Sequence, residues 1–145
     1  MTSIDDRLKP IEGLFSKVSK LRDNRLIIET DLEKFKELVK KIKGSYTSYL
    51  TSIVATDFPD KNVFEINYNI WVFDHQTMFS VRVRIPRDNP KLPTIIDIYP
   101  GGLPYEQEVY DLLGIVFEGN PHLREHFFKP EDIKGYPLRK DWKGE

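Results

Sequence analysis

The stretch that decides the fold lies between residues 63 and 86. It reads Val63-Phe-Glu-Ile-Asn-Tyr-Asn-Ile-Trp-Val-Phe73, then Asp74-His-Gln-Thr77, then Met78-Phe-Ser-Val-Arg-Val-Arg-Ile-Pro86. On either side of the polar residues 74–77, large apolar residues alternate with polar ones, as in a strand with one buried face. The stretch therefore predicts two neighbouring antiparallel strands joined by a reversal.

A third strand is predicted just before these two. Residues 49–56 are rich in β-branched side chains, and the segment 57–60, Asp-Phe-Pro-Asp, is a turn signal. We expect the three strands to form an antiparallel meander with one face against a helix and the other partly open. On the open face, four side chains are placed to pair across strands: Glu65, Asn67, Arg82 and Arg84.

The residues before this sheet predict one strand and two helices. Residues 25–29 have the composition of a strand, and residues 30–33, Thr-Asp-Leu-Glu, match a capping box that begins a helix. This helix should end at Gly44. Its buried stripe is expected to consist of Leu32, Phe35, Leu38, Val39 and Ile42. A shorter helix is expected from Pro10 to about Leu21.

A second long helix is expected to begin at Pro104, because proline is tolerated in the first helical turn. A short helix capped by Thr94 should precede it. The buried stripe of the long helix is expected to be Tyr105, Val109, Leu112 and Leu113. Glu106, Glu108 and Asp111 would then form an acidic surface, which is either an ordinary solvated face or a docking surface for basic residues of a partner.

These elements predict an α+β fold. We expect a two-layer domain with an antiparallel or mixed sheet, helices packed on one face, and an extended C-terminal tail. A length of 145 residues is that of one domain. Within it we distinguish an N-terminal helical segment (1–24), an α+β core that includes the acidic helix (25–117), and a tail that wraps a partner (118–145).

Composition and charge narrow the function classes. The net charge is −1, so the chain has no basic field for holding nucleic acid or anionic lipid. It has no cysteine, which removes disulfides, iron–sulfur ligation and thiol nucleophiles. No apolar run is long enough for a membrane span, and the first residues do not resemble a signal peptide. We therefore expect a cytoplasmic protein.

One motif is consistent with a metal site. Residues 122–126, His-Leu-Arg-Glu-His, fit H-x-x-E-H, the zinc-binding motif of inverted zinc peptidases. However, Pro121 begins the segment, and such a site needs a third ligand from a well-supported scaffold. A small zinc hydrolase using His122 and His126 is therefore the less favoured alternative.

The C-terminal residues indicate a protein partner. Arginine and tryptophan are enriched where interfaces carry binding energy, and both occur in residues 139–142, Arg-Lys-Asp-Trp. The surrounding tail has few apolar residues with which to form a core, so only a partner is expected to cover it. We therefore expect Arg139, Lys140, Asp141 and Trp142 to contact that partner.

These segments resemble the 30 kDa subunit family of NADH-quinone oxidoreductase (respiratory complex I), which includes the equivalent subunits of membrane-bound hydrogenases. The family pattern reads E-R-E-x-Y-D-L-x-G-I-x-F-x-G-H-P-x-L-R and, after a spacer, G-x-P-L-R-K-D-F. In this chain it is matched by Glu106, Glu108, Tyr110, Asp111, Leu112, Gly114, Ile115, Phe117, Gly119, Pro121, Leu123, Arg124, Gly135, Pro137, Leu138, Arg139, Lys140 and Asp141. With further likeness at 57–60, Tyr68, Pro93 and 97–100, the resemblance covers the chain from about residue 30 onward.

Four positions depart from that pattern. Gln107 stands where the family has arginine, Asn120 where it has histidine, Pro104 where many members have tryptophan, and Trp142 where it has phenylalanine. The absence of this arginine and this histidine affects how the chain docks or which partner it binds, rather than whether it belongs to the family. It favours an archaeal or hydrogenase-type complex.

The resemblance implies a specific role. Such subunits are α+β domains without a cofactor, peripheral on the cytoplasmic side of the membrane. They clamp a hydrogenase-like large subunit beside a small iron–sulfur subunit. Iron–sulfur clusters, and nickel–iron or quinone where the complex uses them, would then lie in partner subunits. Arg124 and Leu138 join the residues expected to contact the partner, and this chain would carry no catalytic, cofactor or metal site.

Overall fold

The computed structural model of the protein describes residues 5–123 and 135–142. Within these residues, five strands form one sheet in the order β1-β2-β5-β4-β3. The strands are β1 (Lys17–Arg22), β2 (Arg25–Glu29), β3 (Ser48–Phe58), β4 (Val63–Val72) and β5 (Thr77–Pro86). β2 and β5 pair in parallel, whereas the other neighbours are antiparallel. The sheet is therefore mixed, and the predicted α+β fold is confirmed.

The predicted β3-β4-β5 meander is present with the predicted faces. Its buried face carries the apolar residues of β4 and β5, which are at most 1% exposed: Phe64, Ile66, Tyr68, Ile70, Val72, Phe79, Val81, Val83 and Ile85. On the other face, Arg82 donates through Nε to Asn67 at 3.0 Å, and Arg84 Nε lies 3.2 Å from Glu65. The expected pairing across strands is confirmed.

Helix α1 (Leu32–Ser45) packs on the buried face of the sheet, where the ring of Phe35 lies 4.7 Å from that of Tyr68. Its N-cap is Asp31, whose carboxylate accepts from the N–H of Lys34 at 2.9 Å. The capping box predicted at Thr30 is therefore wrong by one residue, because the Thr30 hydroxyl donates to the carbonyl of Leu14 instead. The predicted end at Gly44 is also early, since the helix continues to Ser45.

The N-terminal segment is not the helix that the spacing predicts between Pro10 and Leu21. A short 3-10 helix, Asp6–Ile11, buries Leu8 and Ile11 and is followed by β1. β1 is an edge strand paired only with β2 among the described residues. Since most of its side chains are solvated, its sequence lacks a clear alternation. Residues 17–22 thus belong to the sheet rather than to a separate helical segment.

The second half of the chain adds a two-stranded parallel pair and a helix. These elements are β6 (Lys91–Pro93), α2 (Leu103–Leu113) and β7 (Val116–Glu118). Gly102, just before α2, lies against the side chains of Leu50 and Ile53 in β3. Ile53 is the cross-strand partner of Tyr68, so α2 approaches the same sheet face as α1. In the described ranges, no helix combines the length and apolarity required to cross a bilayer.

Candidate partner-binding surface

Helix α2 presents a different face to the core than the sequence predicts. Glu106 and Asp111 are both 0% exposed, and of the three carboxylates in this helix only Glu108 lies on the surface. Tyr105 and Leu112 are only partly buried. The predicted acidic surface is therefore wrong, because the helix is rotated so that two of its three carboxylates point into the domain.

The buried carboxylate of Glu106 connects three segments of the chain. Its Oε1 accepts from the hydroxyl of Thr94 at 2.5 Å and from the side-chain amide of Asn120 at 2.9 Å, and its Oε2 accepts from the N–H of Ile95 at 2.9 Å. Burial raises the pKa of Glu106 above its usual value of 4.5, and the hydrogen bonds oppose that rise without cancelling it. Glu106 thus holds α2 to the loop after β6 and to the turn after β7.

Two residues around Glu106 have roles that the sequence did not reveal. Thr94 does not begin a helix, since its hydroxyl donates to Glu106 and accepts from the N–H of Ile96. Asn120 is an internal support, because its amide donates to Glu106 and its Oδ1 accepts from the N–H of His122 at 2.8 Å. The departure from the family pattern at residue 120 therefore changes a contact within this chain. The presence of both a glutamate at position 106 and a histidine at position 120 in the family pattern was the available signal.

Residues 135–142 are fastened to the domain by a group that we call the Asp57 cluster: Asp57, Arg87, Arg139, Asp141 and the N–H of Lys140. Asp57, 3% exposed, accepts from Arg87 Nε at 2.6 Å and from the Lys140 N–H at 2.8 Å. Asp141 lies 3.0 Å from Arg139 and 3.2 Å from Arg87. The hydrogen bond from Arg139 is the main cause of a lowered pKa of Asp141.

The same segment covers part of the core. The guanidinium carbons of Arg87 and Arg139 lie 5.6 and 5.3 Å from the ring centroid of Phe64, which is fully buried. The ring of Tyr136 packs so closely on Gly114 that an added Cβ would lie 2.7 Å from it. The expectation that only a partner covers the tail is therefore wrong for residues 135–142.

Other predicted contact residues remain on the surface. Leu138 is 57% exposed and Trp142 is 36% exposed. Leu138 lines what we call the β3–α2 groove, formed by Ile53, Val54, Ala55, Glu108, Val109, Leu113 and Leu138. Arg139, Lys140 and Asp141 make the intramolecular contacts described above. Arg124 lies outside the described residues.

The zinc motif gains no support from the fold. His122 is exposed on a turn, and His126 lies outside the described residues. Across residues 5–123 and 135–142, no three histidine, aspartate or glutamate side chains come together as a set of metal ligands.

The chain matches a known protein family over most of its length. Residues 28–145 match the family described as respiratory-chain NADH dehydrogenase, 30 kDa subunit. The chain belongs to this family. The resemblance seen in the sequence is thus confirmed, and this member of the 30 kDa subunit family is a component of a complex I-like or related membrane-bound complex.

Two relatives show how far the similarity extends. A subunit of the F420H2 dehydrogenase of Methanosarcina mazei is 34% identical over 122 residues, which cover 83% of this chain and 77% of that subunit. NADH-quinone oxidoreductase subunit 5 of Thermus thermophilus is 39% identical over 120 residues, covering 76% of this chain. The chain spans little more than half, 58%, of the Thermus subunit.

Solved structures share the fold. A chain of the membrane-bound sulfane sulfur reductase, an archaeal respiratory membrane complex, superposes with a TM-score of 0.84 at 28% identity, covering 94% of this chain and 81% of that chain. The trypsin-resistant fragment 1–134 of Nqo5 gives a TM-score of 0.61 at 34% identity, covering 70% and 87%. The 30 kDa family fold therefore occurs in complexes with different names.

Proposed function

We propose that this chain is a non-catalytic, cofactor-free peripheral subunit of a membrane-bound, ion-translocating oxidoreductase. It supports a hydrogenase-like large subunit and neighbours a small iron–sulfur subunit on the cytoplasmic side of the membrane. It meets the membrane through the complex and binds no nucleic acid. Iron–sulfur clusters, and nickel–iron or quinone where the complex uses them, lie in the partners.

One observation carries this proposal: the charged residues of the tail motif are used inside the chain. Asp141 and the Lys140 N–H hold the tail against Arg87 and Asp57, and Arg139 binds Asp141 within the tail. This anchoring leaves Leu138 and Trp142 on the outside of a fixed segment. A large apolar residue and a tryptophan that are held in place before binding lose little conformational freedom on docking, which favours tight association.

The names of the relatives support a structural role. They include an F420H2 dehydrogenase, an NADH-quinone oxidoreductase and a sulfane sulfur reductase. The substrates in these names differ while the fold is shared, as expected when the reaction takes place in other subunits.

The test is assembly of the native complex around an affinity-tagged copy of this chain. We would compare the wild type, a chain truncated after Lys134, and Leu138→Glu. Leu21→Glu is the matched control, because Leu21 is 56% exposed and lies on β1, in a different part of the sheet. We expect the truncation and Leu138→Glu to lose the large subunit during purification and Leu21→Glu to retain it. Normal assembly and turnover of the truncated variant would overturn the proposal.

A further inference from the structure

The outer edge of β3 is exposed at one side of the sheet. β3 is the last strand in the sheet order and has eleven residues, and within the described ranges no strand pairs with its outer side. Along such an edge, alternate N–H and C=O groups point away from the sheet. Proteins commonly protect long edges with lysine or proline, and β3 contains neither. Its irregularity between Leu50 and Ser52 leaves the later residues regular.

The β3–α2 groove runs along this edge. Ile53, Val54 and Ala55 all line it, although consecutive residues of a strand point to opposite faces of the sheet. A groove that touches all three must therefore include the strand edge itself. Val109 and Leu113 of α2 form the opposite wall, and Leu138 of the anchored tail closes it. The volume is about 170 Å³, enough for one bulky side chain.

The chemistry of the groove is apolar with a single negative charge. Six of its seven lining residues are apolar, and Val54 and Leu138 are 49% and 57% exposed. The seventh is Glu108, which is exposed and forms no ion pair with any described residue. Among residues 5–123 and 135–142, no lysine or arginine lines the groove. A ligand that fits would combine an apolar side chain with a cation.

We propose that the edge of β3 from residue 52 to residue 57, together with the β3–α2 groove, binds an extended segment of another subunit. This segment adds a strand to the sheet through backbone hydrogen bonds. It places one bulky apolar side chain in the groove and a lysine or arginine beside Glu108. The inference rests on the proposed function, since the segment belongs to a subunit of the same complex.

A second copy of this chain fits the site less well. The described lining of the groove contains an acid and no base, so an identical groove brought against it would not provide the cation that complements Glu108. Two facing copies would instead bring like charges near each other, which is unfavourable. Charge complementarity therefore favours a different protein.

Hydrogen exchange resolved to single residues tests strand addition directly. In the full chain on its own, alternate amides between residues 52 and 57 should exchange quickly, because they point outward. In the purified complex, we expect both sets of amides to be protected. Persistence of the alternating fast exchange in an intact complex would overturn the inference. The proposed function would survive that result, because the tail truncation tests it separately.

Two substitutions test the side-chain contacts. Val54→Glu should lower the amount of bound partner by about tenfold or more, since it puts an uncompensated charge into the groove. Val116→Glu is its control, because Val116 is 42% exposed on β7 and does not line the groove. Glu108→Lys should weaken binding, whereas Glu37→Lys, on the exposed side of α1, should not.

A photo-crosslinker at position 54 identifies the occupant. The expected product joins this chain to another subunit, within a segment that carries an apolar residue and a nearby lysine or arginine. A product between two copies of this chain would overturn the inference, as would unchanged binding in Val54→Glu.

Discussion

The backbone N–H of Lys140 donates a hydrogen bond to the carboxylate of Asp57, 83 residues earlier in the chain, at 2.8 Å. Arg87 binds the same carboxylate through Nε and Nη2, at 2.6 and 3.1 Å. The carboxylate of Asp57 thus accepts hydrogen bonds both from a cation of the domain and from the backbone of the C-terminal tail. The charged residues of the tail motif therefore make contacts within the chain, and these contacts fix the position of Leu138.

Removing the Asp57 carboxylate should release the tail. We expect Asp57→Ala to lower the free energy of unfolding by about 1–3 kcal/mol, because Arg87 and the Lys140 N–H lose their shared acceptor. Trypsin should also cleave after Arg139 and Lys140 more rapidly. Urea denaturation and timed proteolysis measure the two effects. Asp60→Ala, at an exposed site on the neighbouring turn, should change stability by less than about 0.5 kcal/mol.

Gly114 is required at the end of α2 for two reasons. Its φ is +78°, and a Cβ there would collide with the ring of Tyr136. We expect Gly114→Ala to cost about 1–3 kcal/mol and to loosen the tail. Gly101→Ala is the control, since a Cβ at that position meets nothing within 4 Å. Equal stability of the two variants in thermal unfolding would contradict both the positive φ of Gly114 and the packing of Tyr136 on it.

The hydroxyl of Tyr68 is buried without a hydrogen-bond partner in the described part of the chain. Tyr68→Phe should therefore leave the free energy of unfolding unchanged or raise it, because it removes an unsatisfied polar group. Tyr46 is the contrasting case, since its hydroxyl donates to the carbonyl of Arg7. Tyr46→Phe should cost about 0.5–1.5 kcal/mol. If Tyr68→Phe proves the more damaging change in urea denaturation, the Tyr68 hydroxyl must have a partner.

Glu106 predicts a pH dependence of stability. Because burial keeps its folded-state pKa above the usual value of 4.5, the folded chain holds this proton more tightly than the unfolded chain. Its contribution to stability is therefore greatest below pH 4.5 and falls as the pH rises through the folded-state pKa. The stability advantage of the wild type over Glu106→Gln should shrink in the same direction. Glu108→Gln keeps the buried carboxylate and should follow the wild-type curve, and a gap that widens with pH would contradict the assignment.

Asn120→His would place an imidazole where Asn120 now donates to Glu106 at 2.9 Å. The carboxylate should raise the pKa of that histidine above its usual value of about 6.5. The resulting stabilisation should be complete below about pH 6.5 and be lost as the pH rises through the raised pKa. Melting temperatures across this range measure it. Asn120→Ala, which loses the hydrogen bonds to Glu106 and from the His122 N–H, should be less stable at every pH. A flat difference for the histidine variant would argue against contact with Glu106.

The local sequence pattern was sufficient to predict an element when one of its faces is buried along its whole length. The alternation in residues 63–73 and 78–86 predicted β4 and β5 and their faces, because every second side chain is in the core. The helix over residues 32–45 followed from its stripe in the same way, although Leu32, predicted to be buried, is 36% exposed in its first turn. β1 was difficult to predict because most of its side chains are exposed, so buried and exposed positions do not alternate along the strand.

Long-range contacts set the features that the sequence did not reveal. Nothing local in residues 25–29 indicates a parallel pairing with residues 78–82. The burial of Glu106 depends on donors at 94, 95 and 120, and glutamate is seldom fully buried unless such partners converge on it. The sequence of residues 57–60 predicts a turn and no ion pair for Asp57, because its partners at 87 and 140 are far away in the chain.

The bond between Lys140 and Asp57 also has a consequence for biosynthesis. Asp57, Phe64 and Arg87 emerge from the ribosome well before Arg139, so the ring of Phe64 gains its second guanidinium cover late in translation. A product stopped before that codon would lack this cover on the ring and the bond from Lys140 to Asp57, so the leucine that we propose docks on the partner would not be held in place.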